Sequence, residues 1–197
     1  AQDGPEWKWI VRGELNWMLA AGGDEAGDPR LDPPIPEDEI LQETLEQTIN
    51  NGFGVALGAE YLATKHLGVE LAVLVGNFDG KFHIFKDGLF EEPTTDIQFT
   101  SATLGLNYHF TPARRVDYYL GLFFTYYDYE DQTIRFPGHG ITLNWKFQED
   151  TGWGWRGGLD WAFKEESPWV LAVGVRHYRG ALDVHPVMIT VGLGRRF

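Results

Sequence analysis

Catalysis needs a nucleophile or proton carrier held beside its partner, and this chain supplies few. Serine occurs only at Ser101 and Ser167. Ser167 stands in a short segment before Pro168, and Ser101 lies in an alternating run with no histidine placed beside it by an obvious hairpin pairing. A Ser–His hydrolase is defined by geometry rather than chain order, yet the supply of nucleophiles is poor. None of the 197 residues is cysteine, which removes disulfides, thiolate metal sites and Cys nucleophiles. The six histidines, His66, His83, His109, His139, His177 and His185, share no metal-ligand spacing. Asp24, Glu25, Asp28, Asp32, Glu37, Asp38 and Glu39 crowd one stretch that could attract divalent cations, but a solvated, self-repelling surface is the simpler account. No glycine-rich phosphate loop stands between a strand and a helix. The expectation is a protein that is not an enzyme, with no catalytic residue, no metal and no cofactor.

Charge is plentiful, but it sits in alternation with apolar residues. "EWKWIVRGELNWMLA" sets Trp7, Trp9, Val11, Leu15, Trp17 and Leu19 against Lys8, Arg12, Glu14 and Asn16. Similar segments place Glu60 and Glu70 opposite Leu57, Tyr61, Leu71 and Val73, and place Arg156, Asp160 and Arg176 opposite Trp155, Trp161, Leu171 and Val175. Strict alternation signals a half-buried strand. Eight such runs are readable, the last being "VMITVGLGRRF", and several pass ten residues. Soluble strands are usually about 5–6 residues, whereas a tilted membrane-spanning strand needs about 9–11.

Connections alternate in length. "TKH" (64–66), "TPARR" (111–115) and "KEESP" (164–168) are short, and residues 21–50, 79–95 and 128–150 are long. Short turns on one rim and long loops on the other mark an outer-membrane barrel. Aromatic residues fall in two outward bands. Trp7, Trp9, Tyr61, Tyr108, Phe110, Tyr118, Trp161, Phe163, Trp169 and Phe197 lie near the short-turn rim, and Trp17, Phe53, Phe99, Tyr126, Trp153 and Trp155 near the long-loop rim. A soluble sandwich or lipocalin-like barrel would instead bury those rings and wet the charges.

The expected fold is therefore all-β: an eight-stranded antiparallel up-and-down transmembrane β-barrel spanning residues 1–197 as one domain. In its long acidic first loop (21–50), Pro36 followed by Glu37, Asp38 and Glu39 suits a helix start. Ile40, Leu41, Thr44, Leu45, Thr48 and Ile49 keep helical spacing, so a short helix is expected there. A polar lumen explains the low mean hydropathy of −0.28, and the net charge of −13 excludes a general nucleic-acid binder. The start "AQDGPEW" suits a mature chain after signal-peptide removal, and the expected location is the bacterial outer membrane.

A barrel of eight strands is just wide enough for side chains to fill it. Arg12, Glu14, Glu60, Glu70, Arg156, Asp160 and Arg176 are expected to pair as a polar plug, because an unpaired buried charge is costly. Above them Met18, Leu74, Phe78, Phe123, Tyr127, Tyr178 and Met188 point inward near the long-loop rim. They either cap the barrel or form the entry site of an apolar small molecule.

The chain resembles the OmpW family of small outer-membrane barrels. The residues that carry the likeness are "NNGFGVALGAEYLATKHLGVELAV", "ATLGLNYHF" with "YYLGLFFTYY", "GWGWRGGLDWAF" with "PWVLAVGVRHYRG", and the final "VGLGRRF", so it covers roughly residues 50–197. The terminal Phe197 resembles the assembly signal of such barrels, although Arg195 stands where that signal has an aromatic or apolar residue. The resemblance implies a barrel that binds and moves small hydrophobic compounds, with lateral release into the membrane. Its partners are then outer-membrane lipid and a small hydrophobic solute. The alternative is a structural or adhesive barrel that shows its acidic loops to an extracellular protein. A lipid-modifying enzyme is a third class.

Overall fold

The computed structural model describes residues 7–19, 28–32, 44–86, 88–112, 114–146, 150–164, 167–179 and 186–197. In chain order the strands are β1 (Trp9–Leu19), β2 (Asp28–Asp32), β3 (Thr44–Leu62), β4 (Leu67–Lys86), β5 (Leu89–Glu91), β6 (Thr94–His109), β7 (Val116–Tyr129), β8 (Gln132–Phe136), β9 (Ile141–Lys146), β10 (Asp150–Ala162), β11 (Trp169–Arg179) and β12 (Val187–Arg196).

Eight of them form the barrel, in the order β3-β1-β12-β11-β10-β7-β6-β4, and pairing of β3 with β4 closes it. Every pairing is antiparallel. Closure matters because an open edge strand presents unpaired backbone groups, which lipid cannot satisfy. The first and last strands meet over ten residue pairs, from Ile10↔Arg196 to Leu19↔Val187. Phe197 completes that seam: its N–H donates to the Trp9 carbonyl (2.9 Å) and its carbonyl accepts from Lys8 N–H (2.8 Å). Arg195 faces outward between rings, its guanidinium 5.4 Å from the Trp169 centroid and 4.8 Å from that of Phe197. It snorkels at the rim without leaving its strand.

The barrel is apolar outside and polar inside. Leu57 and Leu71 are each 65% exposed, while Glu60 and Glu70, at alternate positions on the same strands, are 0% and 2% exposed. The lower aromatic band faces out from Trp9 to Phe197, as does the upper one except for Phe99. Phe99 was expected outside and is buried. β6 runs unbroken from His109 to Thr94, so the parity that turns Leu104 and Ala102 outward also turns Gln98 and Thr100 outward and Phe99 inward.

Two expectations for the long-loop side are corrected. The helix is absent among the described residues. Thr44, Leu45, Thr48 and Ile49 belong to β3 and pair with Phe85, Ile84, Lys81 and Gly80 of β4; the remainder of that segment, 33–43, lies outside the described residues. β-branched Thr44, Thr48 and Ile49 suit a strand, and a helix there would have left the upper edge of β4 unpaired. Residues 79–95, expected as a loop, continue the β4–β6 hairpin, with Asp79↔Asp96 and Lys81↔Thr94 paired above the barrel. A register shift between Ile49 and Gly52 marks where β3 passes from barrel wall to upper hairpin. Beyond the rim, β2, β9 and β8 form a second sheet.

Candidate functional site

Alternation sends one charged residue inward at nearly every turn of the lower lumen, and the glycines opposite make room for it. A Cβ at Gly68 would stand 2.1 Å from Glu60 Oε1. Arg12 donates through Nη1 to Glu60 Oε2 (2.6 Å) and through Nη2 to Asp160 Oδ2 (2.7 Å). Arg156 forms a two-pronged pair with Glu70, and Arg176 pairs with Glu14. Asn107 joins the two halves: it donates to Glu60 Oε1 (2.6 Å) and accepts from Arg156 Nε (2.7 Å). His109 sits below, with Nε2 2.9 Å from Glu60 and Nδ1 2.8 Å from Asp117. Ionised carboxylates only accept, so this bridge is complete when both ring nitrogens carry hydrogen.

The seven residues expected to form the plug, from five strands, are therefore brought into one network, which Asn107, His109 and Asp117 extend to seven of the eight barrel strands. Buried ion pairs hold when each partner is compensated. Five carboxylates meet three guanidiniums here, with His109 between two of the carboxylates and Arg196 a fourth buried guanidinium. Sequence reasoning missed Asp117 and Tyr119. Both take inward parity on β7, which was the available signal. Two guanidiniums approach the Tyr119 ring within cation–π range, Arg12 at 5.3 Å and Arg156 at 5.6 Å from its centroid. Lys8, set by alternation on the same face as Arg12 and Glu14, is exposed.

Above the plug the lining changes character. Met18, Leu74, Phe78, Phe123, Tyr127, Tyr178 and Met188 are all buried and belong to one apolar cluster. Phe123 and Tyr178 stand edge to face at 4.8 Å, and Tyr178 meets Tyr127 at 5.8 Å. Phe123 lies flat over Gly154, where a Cβ would come within 2.5 Å of its ring. The cluster continues upward through Phe82, Ile84, Ile97 and Phe99 and is capped by Ile134, Phe136, Ile141 and Leu143 of the β8–β9 hairpin. The alternation of "HGITLNWKF" reads as a strand beyond the membrane, which β9 is, but its packing over the lumen is not legible in the sequence. Ser101 is buried beside this column, paired in register with Leu74 and Tyr127. Its Oγ has no hydrogen-bond partner among the described residues. The acids at 24, 25, 37, 38 and 39 lie outside the described residues.

A closed antiparallel wall of eight strands with an oily exterior, two aromatic bands and an ion-paired lumen defines a small transmembrane β-barrel. The chain belongs to the outer membrane protein β-barrel domain family, whose model matches residues 13–197. Its location is the bacterial outer membrane, and its surroundings are lipid. The OmpW-like resemblance agrees with both strand number and architecture. No curated protein sequence matches the chain. Among solved structures it is similar to the outer membrane protein OprG from Pseudomonas aeruginosa (TM-score 0.69, 18% identity, 97% of this chain and 96% of that one). It is also similar to AlkL in lipid bilayers (0.58, 16%, 100% and 93%) and to Neisserial surface protein A (0.56, 16%, 96% and 97%). At these identities the likeness is one of fold.

Proposed function

We propose that this barrel binds small hydrophobic molecules in its upper lumen and passes them sideways into the outer membrane. One observation carries the reading: an apolar column stands directly on a plug whose charges are mutually paired. An apolar solute entering from the loop side gains by leaving water, but the axial way down would place it among ion pairs. A sideways exit is supported by the height of the wall. β1 meets β3 only up to Met18↔Gly52, with the Ile49–Gly52 register shift immediately above. Among the described residues, upper β3 is then paired on its β4 side alone. Met18, Met188 and Phe78 stand at this step, since Met18 pairs with both Met188 and Gly52, and Gly52 with Phe78.

Uptake of an apolar and a polar solute into proteoliposomes tests the reading. Phe123→Arg places a charge within the column and should abolish apolar uptake, with polar uptake low throughout. Unchanged apolar uptake in a folded Phe123→Arg barrel would point to the alternative, a structural or adhesive barrel that engages a protein partner through its acidic loops. The β8–β9 hairpin beyond the rim favours that alternative, because β8 edges its sheet and an edge strand can accept a partner strand.

A further inference from the structure

The outer wall carries a feature that lumenal transport does not use. A groove of about 510 Å³ runs up the lipid-facing side between β4 and β10. Leu67 and Tyr108 line its foot, Leu106 and Leu122 its sides, and Trp155 its head. Its floor is the bare backbone of Gly121 on β7. An outward-facing glycine keeps it open. Gly157 on β10 faces outward opposite Leu120, and a Cβ there would lie 2.9 Å from Leu120 Cδ2. Leu120 therefore lies down in the space that a side chain at 157 would take, and the groove beside it is left unfilled.

The foot of the groove is basic. The turn that joins β6 to β7, the groove's own strands, carries Arg114 and Arg115, both exposed. Arg115 is held against the outer wall, 5.9 Å from the Trp161 ring centroid. On the other flank the β3–β4 turn carries exposed Lys65 followed by His66. The His66 ring is fixed at the groove: Nδ1 donates to the His109 carbonyl (2.7 Å), and the ring stacks on Tyr108 at 5.6 Å. Lys8, Lys164 and Arg195 lie on the same rim. An apolar channel of this volume falls in the range of small-molecule sites, and these cations lie beyond its foot, at the short-turn, periplasmic end.

We propose that this groove is a binding site for one anionic glycerophospholipid of the periplasmic-side leaflet. An acyl chain lies over Gly121 beside Leu120, and the phosphate is met by Arg114, Arg115 and Lys65. Charge complementarity selects this occupant. A neutral lipid would fill the groove equally well but leave the cations unanswered, whereas each Lys or Arg near the headgroup favours an anionic lipid by roughly fivefold. The site is independent of the lumen and needs no transport.

Native mass spectrometry of the delipidated barrel, titrated with dioleoyl phosphatidylglycerol or dioleoyl phosphatidylcholine, tests it. The wild type should retain one phosphatidylglycerol in preference to phosphatidylcholine by roughly tenfold or more. Arg114→Ser with Arg115→Ser and Lys65→Ser should bring that preference close to parity. Gly157→Leu should drive Leu120 back over the groove and lose both lipids, and Leu122→Trp should do the same by filling the groove from its side. Heat-modifiable gel migration reports whether each variant is folded. Several equivalent lipids with no headgroup preference, or full retention by folded Gly157→Leu and Leu122→Trp, would overturn the proposal.

Discussion

Met18 and Met188 face one another across the β1–β12 seam, one rung below its top, and both are fully buried. Methionine is unbranched and fills irregular space, so it packs well and yields readily. Two methionines at the lowest point of the wall make a soft closure above the plug. Met18→Ala with Met188→Ala should cost about 2–5 kcal/mol of stability per site through lost packing, and it should admit bulkier apolar solutes faster. Unfolding midpoints in lipid and uptake of a graded solute series measure the two effects. Slower uptake by the stable double variant would count against the closure.

Beneath that closure Glu60 accepts from Arg12, Asn107 and His109. Glu60→Gln keeps the volume but turns one acceptor oxygen into a donor amide and removes a carboxylate that faces both Arg12 and His109. Breaking one side of a buried pair costs about 3–5 kcal/mol, and a loss of that order is expected in urea unfolding of the barrel in lipid. A loss below about 1 kcal/mol, the range of exposed pairs, would mean that water reaches the plug.

The outward direction of the oily face has its own test. Leu71 lies mid-wall and is 65% exposed. Leu71→Arg should destabilise the barrel in bilayers by about 2–4 kcal/mol, the cost of an arginine at the membrane midplane. Thr94→Arg, exposed beyond the barrel on β6, should cost little. Equal effects at both positions would argue that the wall does not face lipid.

Outside the membrane, Glu91 ties β5 to the 137–140 turn. It accepts from Gly138 N–H (2.5 Å) and lies 3.0 Å from His139 Nδ1. The hydrogen bond with His139 holds the Glu91 carboxyl below the usual range, and the backbone bond from Gly138 adds to this. A lowered folded-state value means that the tie is fully present above the ordinary glutamate value of about 4.3 and is lost as pH falls through the folded value. Gly138 amide exchange should stay slow from neutral pH to about 5, after correction for the intrinsic rate, and should quicken in more acidic buffer. Glu91→Gln should quicken it from neutral pH to about 5 and match the wild type in more acidic buffer. A Gly138 rate unaffected by Glu91→Gln would show that the tie does not hold the turn.

How much of this was legible depends on the period of each segment. The inward parity of Arg12, Glu70 and Arg176 followed from period-2 alternation, and so did the meeting of the seven upper-lumen residues. Pairing partners within the plug were not legible. Glu60 meets Arg12, His109 and Asn107 through side-chain reach across the lumen, which no strand pattern encodes. The helix reading failed at Thr44–Ile49 because that short run satisfies both periods, and the tertiary partner at Lys81–Phe85 decided between them. Phe99 was misplaced by reading an aromatic as girdle instead of counting parity from Leu104. The alternation of "HGITLNWKF" made a strand beyond the membrane legible there, but its partner "TIRF" and the apolar cap they form were not, because that cap needs the pairing of Ile134↔Leu143 and Phe136↔Ile141.

The sideways route can be locked and released in one molecule. Trp17 and Phe53 are outward-facing cross-strand partners at the top of the β1–β3 seam, and the chain has no cysteine of its own to interfere. Trp17→Cys with Phe53→Cys should form a disulfide across that seam, since directly opposed residues bring their Cβ atoms within bridging range. Uptake of an apolar solute into proteoliposomes should be strongly reduced in the oxidised protein and restored by dithiothreitol. Equal uptake in the oxidised and reduced states would contradict lateral release at this seam.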